Sequence, residues 1–202
     1  MSRAAESVIG AVVAAAGRAV GAVQTALGLQ PRERPLTAAE TALLRRVYRG
    51  SVDLSRVRIV AGRAGLFSLS GRPFTLGDRI YLKGFDPAAR VDVLVHECCH
   101  VWQHQREGIS YIGGAILAQL GKGRGAYDWQ AERRAAKAWP QFNREAQAQL
   151  VQDLFRDGGR AGRTGDGAFF DEEPLGQDVS FIVRGEDLTA FARASIEHVR
   201  AG

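Results

Sequence analysis

Two histidines four residues apart, His96 and His100, enclose a glutamate in the stretch His96-Glu97-Cys98-Cys99-His100. Residues at this spacing on an α-helix project from one face, about one turn from each other, so two imidazoles can converge on one cation. Neutral imidazole suits Zn²⁺, and a catalytic zinc keeps three protein ligands and one open position for water. Zinc lowers the pKa of that water to about 7, and a carboxylate beside the chelating pair can take and pass on the proton. The HExxH pattern therefore predicts His96 and His100 as zinc ligands and Glu97 as general base. The competing reading is a buried helix with two hydrogen-bonded histidines. A glutamate beside them is then poor core chemistry unless its charge is compensated.

A third ligand must come from outside the motif. His104 continues the series by four, but a rise of ~1.5 Å per residue puts it ~12 Å along the axis from His96. One zinc with bonds near ~2 Å does not bridge that span, so His104 reads as a surface or supporting residue. A third histidine after a glycine turn, as in HExxHxxGxxH, is absent, because Val101-Trp102-Gln103-His104 occupies that region. Two downstream glutamates remain. Glu132 has Trp129, Ala136 and Trp139 as helical neighbours, which puts it on a partly apolar face. Glu145 follows Asn143, a helix cap, and Pro140, which separates its helix from the one before. Each is otherwise an ordinary solvated helix charge. The residues alone lean slightly to Glu132.

Cys98 and Cys99 are the only cysteines. Neighbours on a helix diverge by about 100°, which opposes a disulfide between them. They read as small buried hydrophobes, and the chain carries no disulfide framework.

The elements around the motif follow from local signals. Val91, Leu94, Val95, Cys98 and Trp102 form an apolar stripe at helical spacing. Asp86-Pro87 is the expected start of that helix and Gly108 its stop. Thr37-Ala38-Ala39-Glu40 is a capping-box signature ahead of Leu43, Leu44, Val47 and Tyr48, a helix expected to end at Gly50. Val57-Arg58-Ile59-Val60 and Arg79-Ile80-Tyr81-Leu82 suggest short strands, the second after a turn at Gly77-Asp78. Gly113-Gly114 and Gly121 to Gly125 mark flexible connections around an apolar segment, Ile116 to Leu120. Lys122 completes no GxxxxGK[ST] phosphate loop. Residues 157–178, rich in Gly, Asp and Glu, read as an exposed or disordered linker. A last helix is expected from Asp187, as cap, to Arg200, with Leu188, Phe191, Ala192, Ile196 and Val199 inward and His198 on the surface.

The N-terminal stretch from Val8 to Leu29 is mostly Ala, Val and Gly, with Gly10, Gly17, Gly21 and Gly28 at spacings suited to close helix contact. Arg18 interrupts it, at a cost of ~2.5–3.5 kcal/mol at a bilayer centre. A packing helix or extension is the main reading; a signal peptide and a membrane-associating helix are the alternatives. Pro31 to Pro35 reads as a linker. The net charge is +5, carried almost wholly by scattered arginines. No basic run interleaved with aromatics is present, so nucleic acid is not an expected partner.

From Leu36 to Asp153 the chain resembles a group of bacterial zincin-like proteins described as Vgr-related or Rhs-element-associated. It is also similar to the metallopeptidase core domain found with extracellular contractile injection systems. The residues that carry the resemblance are Pro35-Leu36-Thr37 with Glu40, Val52-Asp53-Leu54 with Val57-Arg58-Ile59, and Thr75-Leu76-Gly77-Asp78-Arg79-Ile80-Tyr81-Leu82. The strongest piece is Leu94-Val95-His96-Glu97-Cys98-Cys99-His100-Val101-Trp102-Gln103, and Tyr127-Asp128-Trp129 and Glu145-Ala146-Gln147-Ala148 complete the set. In that family the last segment usually reads Glu-Gln-Gln-Ala, so the resemblance makes Glu145 the third ligand. Here Ala146 replaces the first glutamine, and Cys98 and Cys99 stand where the family has bulkier or hydroxyl residues.

The expected fold class is α+β: a mainly helical zincin-like domain with a small β-sheet ahead of the HExxH helix. The expected divisions are 1–34, an Ala/Gly/Val-rich segment and linker; 35–156, the metallopeptidase domain; and 157–202, a Gly/acidic linker and C-terminal helix. The expected reaction is peptide-bond hydrolysis, with His96, His100 and Glu145 on Zn²⁺ and Glu97 as base. Tyr111 and Tyr127 are candidate oxyanion donors that no spacing fixes. The expected partners are a protein or peptide substrate and, through the resemblance, components of a secretion or injection system. The expected location is the bacterial cytoplasm, with export or delivery by such a system. Two rival functions are a non-catalytic adaptor of the same fold and an effector acting on membranes through residues 8–29.

Overall fold

The computed structural model describes residues 33–61, 72–108, 123–171 and 178–202, together with scattered helical positions between 8 and 23. Tyr111, the Gly113-Gly114 pair and the Ile116–Leu120 segment lie outside the described residues, as does most of 8–29. The fold is α+β.

Among the described residues, four short strands precede the helix that carries the histidines. They are β1 (Arg34–Pro35), β2 (Arg58–Val60), β3 (Phe74–Leu76) and β4 (Arg79–Tyr81), in the order β1-β2-β4-β3. β2 and β4 run parallel; the outer pairings, β1 with β2 and β3 with β4, are antiparallel. β3 and β4 form a hairpin closed by Gly77-Asp78, where Gly77 takes φ +66°, a conformation strained for any residue with a Cβ. Arg34-Pro35, expected as linker, instead pairs with Ile59 and Arg58.

Helix α1 (Ala38–Tyr48) starts as expected. The Thr37 hydroxyl accepts from the Glu40 amide at 3.2 Å, and the Glu40 carboxylate accepts from the Thr37 amide at 2.7 Å. Arg34 holds the same carboxylate with two 2.8 Å bonds, tying the first strand to the cap. The helix stops at Tyr48, two residues before Gly50, because Arg49 turns to φ 56°.

Helix α2 (Val91–Glu107) is the centre of the molecule. Every residue from Leu94 to Gln103 is buried. A helix enclosed on all sides lies in a core rather than over one. It begins four residues later than Asp86-Pro87 implies. Asp86 instead makes a local turn: its side chain accepts from the Ala88 amide at 2.9 Å and its carbonyl from the Arg90 amide at 3.0 Å. That turn uses the groups that would have started the helix. Gly108 ends α2 as expected, with φ +67° and its amide on the His104 carbonyl at 2.8 Å.

After α2 come α3 (Trp129–Arg134), a short 3₁₀ turn at Trp139–Gln141, and α4 (Arg144–Asp157). α4 is the helix that packs most extensively on α2. Asn143 caps it as expected, its Oδ1 accepting from the Glu145 and Ala146 amides at 3.1 Å each.

The segment expected as an exposed linker is only partly so where it is described: 161–164 and 166 are exposed, but 158–159 and 167–170 are buried. Strands β5 (Gly159–Arg160) and β6 (Arg163–Thr164) pair with each other, and β5 pairs again with β7 (Val179–Ser180). Ala168, Phe169 and Phe170 form a 3₁₀ turn with none of their surface exposed. The hairpin of β8 (Ile182–Val183) and β9 (Glu186–Asp187) leads to α5 (Thr189–Ala201). Asp187 does not cap α5 in the ordinary position; Leu188 stands there, and Asp187 accepts the Thr189 amide at 2.9 Å. Ala192, Ile196 and Val199 face inward as expected, in the same hydrophobic cluster as Leu94, Val95 and Trp102 of α2. Trp102 Nε1 donates to the Val199 carbonyl at 3.0 Å. His198 is exposed, its ring edge-on to Trp102 and Trp139. Among the described residues, no helix is long and apolar enough to cross a membrane.

Candidate metal centre

His96 and His100 lie one turn apart on α2, with ring centroids 5.1 Å from each other. Both Nε2 atoms point at one oxygen of Glu145: His96 Nε2 is 3.6 Å and His100 Nε2 3.5 Å from Glu145 Oε2. Glu145 sits in the first turn of α4, and the Asn143 cap fixes that turn. The three residues are 3–6% exposed. They form a buried set whose ligand atoms all lie within 4.8 Å of one another. Bonds of ~2.0–2.1 Å at tetrahedral angles place neighbouring ligand atoms ~3.3–3.4 Å apart. The separations to Glu145 match that span within a few tenths of an ångström. Two imidazole nitrogens and one carboxylate oxygen are also a donor set that zinc takes in catalytic sites. The residues fit the ion.

Glu132, the rival ligand, is placed elsewhere. It is buried, but its carboxylate accepts from Lys137 Nζ and, at 3.0 Å, from Asn143 Nδ2. His104 is outside the cluster and contacts the Gly108 carbonyl at 3.3 Å. Cys98 and Cys99 are free and fully buried, and burial pushes both thiols up, which withholds the thiolate a metal needs.

Glu97 points from the same turn and is 4% exposed. Thr75 Oγ1, on edge strand β3, lies 2.9 Å from Glu97 Oε2 and 3.0 Å from the Glu97 carbonyl, with one proton to donate between them. Burial raises the Glu97 pKa; the His96 and His100 charges and the Thr75 bond offset part of that rise. A carboxylate held above its ordinary range has moved toward the pH at which general bases work best.

The charges of the triad interlock. Burial alone would lower the His100 pKa, but the Glu145 carboxylate beside it raises it to about 9. Glu145 is driven the opposite way: the adjacent histidines overcome its burial and hold its carboxyl below the usual carboxylate range. Tyr127 joins this group. Its ring stacks on His96 with centroids 6.0 Å apart, and the Arg72 guanidinium lies 4.9 Å from the centroid of the Tyr127 ring. Burial first, and then the Glu145 charge, push its phenol up to about 12, so it stays a hydrogen-bond donor.

Four residues near the site had no assigned role on sequence grounds: Thr75, Arg72, Gln103 and Gln147. The two glutamines carry a faint local signal, because Gln103 is three residues from His100 on a helix and Gln147 two from Glu145. Thr75 and Arg72 arrive from the sheet region, and no spacing within α2 points to them.

No family model, curated protein or solved structure matches this chain. The geometry of the site therefore carries the functional reading.

Proposed function

We propose that the chain is a zinc-dependent metallopeptidase of the zincin kind, hydrolysing peptide bonds with a metal-activated water. The observation that supports this most directly is the convergence of His96 Nε2 and His100 Nε2 on Glu145 Oε2, with the Glu97 carboxylate on the same helical turn. His96, His100 and Glu145 would hold the ion. Bound there, zinc supplies a Lewis acid that polarises a carbonyl and acidifies water. Glu97 then accepts the proton from the attacking water and returns it to the departing amine. Thr75 keeps one Glu97 oxygen oriented throughout. Tyr127, protonated and beside Glu145, is placed to donate to a developing oxyanion. The link to a bacterial secretion or contractile injection system rests on the resemblance of the motif segments.

The test is metal analysis of purified wild type beside His100→Ala, Glu145→Ala and Glu132→Ala, together with peptide-library turnover of wild type and Glu97→Gln. Metal should be lost in the first two variants and kept in the third. Glu97→Gln should keep zinc and lose turnover. Turnover that survives in Glu97→Gln removes the peptidase reading.

The enclosure of all three donors favours a second reading, in which zinc stabilises the fold of an adaptor and no bond is cleaved. There, zinc-loaded wild type cleaves no peptide, while metal removal lowers its melting temperature.

A further inference from the structure

A chain of three side chains leads from the Trp139–Gln141 turn to His100, and each hydrogen bond in it has one possible direction. Gln147 Nε2 faces two backbone carbonyls, those of Trp139 at 3.2 Å and Pro140 at 3.4 Å. Carbonyls only accept, so this end of Gln147 must be its NH₂ group, and Oε1 is the other end. Gln147 Oε1 faces Gln103 Nε2 at 2.9 Å, and Gln103 Nε2 also reaches the Arg144 carbonyl at 3.0 Å. Both are acceptors, so both protons of the Gln103 amide are committed. Its Oε1 is left facing His100 Nδ1 at 2.8 Å. An oxygen there requires Nδ1 to carry a proton. Nε2 of the neutral ring is then the lone pair, aimed at Glu145.

We infer that Gln103 and Gln147 are positioning residues that preset His100 in the Nδ1–H form, with Nε2 open for metal. Gln103 is fully buried and Gln147 nearly so, so water does not compete for these bonds. Gln103 has a second task. By holding the Arg144 carbonyl it anchors the residue just before Glu145, so one amide positions two of the three ligands. His96 differs: its buried Nδ1 has no hydrogen-bond partner among the described residues. The protein thus fixes one imidazole and leaves the other's proton unassigned. The consequence for metal affinity rests on the zinc reading above; the ring's proton position does not.

The test reads both separately. Histidine-selective ¹⁵N NMR of the metal-free protein, in alkaline solution with the rings neutral, gives the His100 tautomer. Competition with a chromophoric chelator gives zinc affinity. Wild type should show Nδ1–H at His100. Gln103→Met, similar in volume but with no acceptor, should lose that preference and bind zinc 10–100-fold more weakly. Gln103→Glu still offers only acceptors to Nδ1 and should keep the wild-type tautomer. Gln147→Met frees Gln103 to turn and should fall between. If Gln103→Met does not fold, wild type and Gln103→Glu decide the matter. An Nε2–H ring in wild type overturns the inference, as does a Gln103→Met protein with unchanged tautomer and affinity. Nδ1–H in wild type with no zinc bound sustains the inference and sinks the metal reading.

Discussion

Asn143 Nδ2 donates to Glu132 Oε1 at 3.0 Å, while Asn143 Oδ1 accepts from the Glu145 amide at 3.1 Å. Glu132 therefore sets which way the Asn143 amide faces, and Asn143 holds the first turn of the helix that presents Glu145. The carboxylate that rivals Glu145 as a ligand by sequence is a support for it in the structure.

This relationship predicts a split between metal content and stability. Glu132→Ala should keep full zinc stoichiometry but lose about 1 kcal/mol, the usual worth of a helix cap. Denaturant unfolding and metal analysis on one preparation measure both. Loss of zinc in Glu132→Ala alone would reverse the ligand assignment.

The metal-free protein should be most stable in mildly acidic solution. His100 has a folded pKa of about 9 against an ordinary 6.5, so its contribution is complete below 6.5 and is lost as pH rises through 9. Glu145 is lowered from 4.5, so its contribution is present above 4.5 and disappears as pH falls through the depressed value. Glu97, raised from 4.5 chiefly by burial, contributes fully below 4.5 and loses its contribution as pH rises through its folded value, so it favours the acid end of the stable range. Melting temperatures of the metal-free form should therefore peak between 4.5 and 6.5. A profile that climbs steadily toward pH 9 would contradict the ion pair.

On the proposed zinc reading, the ion would displace the proton that His100 holds near neutral pH. Binding should release about one proton in that range. Calorimetry in buffers of differing ionisation enthalpy measures it, and His100→Ala should abolish it along with binding.

Thr75→Val tests the grip on Glu97. The Thr75 hydroxyl lowers the Glu97 pKa, so its removal raises it further. A hydrogen bond to a charged group is worth ~1.5–3 kcal/mol, which moves the acid limb of kcat/KM upward by about one unit or more. An unmoved limb with normal zinc content would separate Thr75 from the base.

Phe169→Ala tests how far the core extends. Phe169 is fully buried, edge-on to Phe170 at 5.6 Å. Its loss should cost ~3–5 kcal/mol in denaturant unfolding. A cost under about 1 kcal/mol would mean that this segment is a detachable linker after all.

The elements that sequence made legible are those set by near neighbours. The Thr37–Glu40 box, the Asn143 cap, the Gly108 stop and the one-turn spacing of His96 and His100 each depend on residues within four positions. Sequence signals mislead where local groups compete or where partners come from afar. Asp86-Pro87 has the residues of a helix start, but the Asp86 side chain and carbonyl close a separate turn. The glycines and acids of 157–178 dilute Phe169 and Phe170 in any average, although those two rings fill the core. The choice between Glu132 and Glu145 depends on how α3 and α4 approach α2, and neither helix carries that in its own spacing.

Cys98 and Cys99 sit sealed inside the helix that holds the histidines, with their thiols pushed toward the unreactive form. An alkylating reagent should leave them untouched while α2 stays closed, and should modify both once it opens. The chain thus carries a built-in chemical clock: the rate of cysteine capture, with and without zinc, times the opening of the helix that holds both histidines.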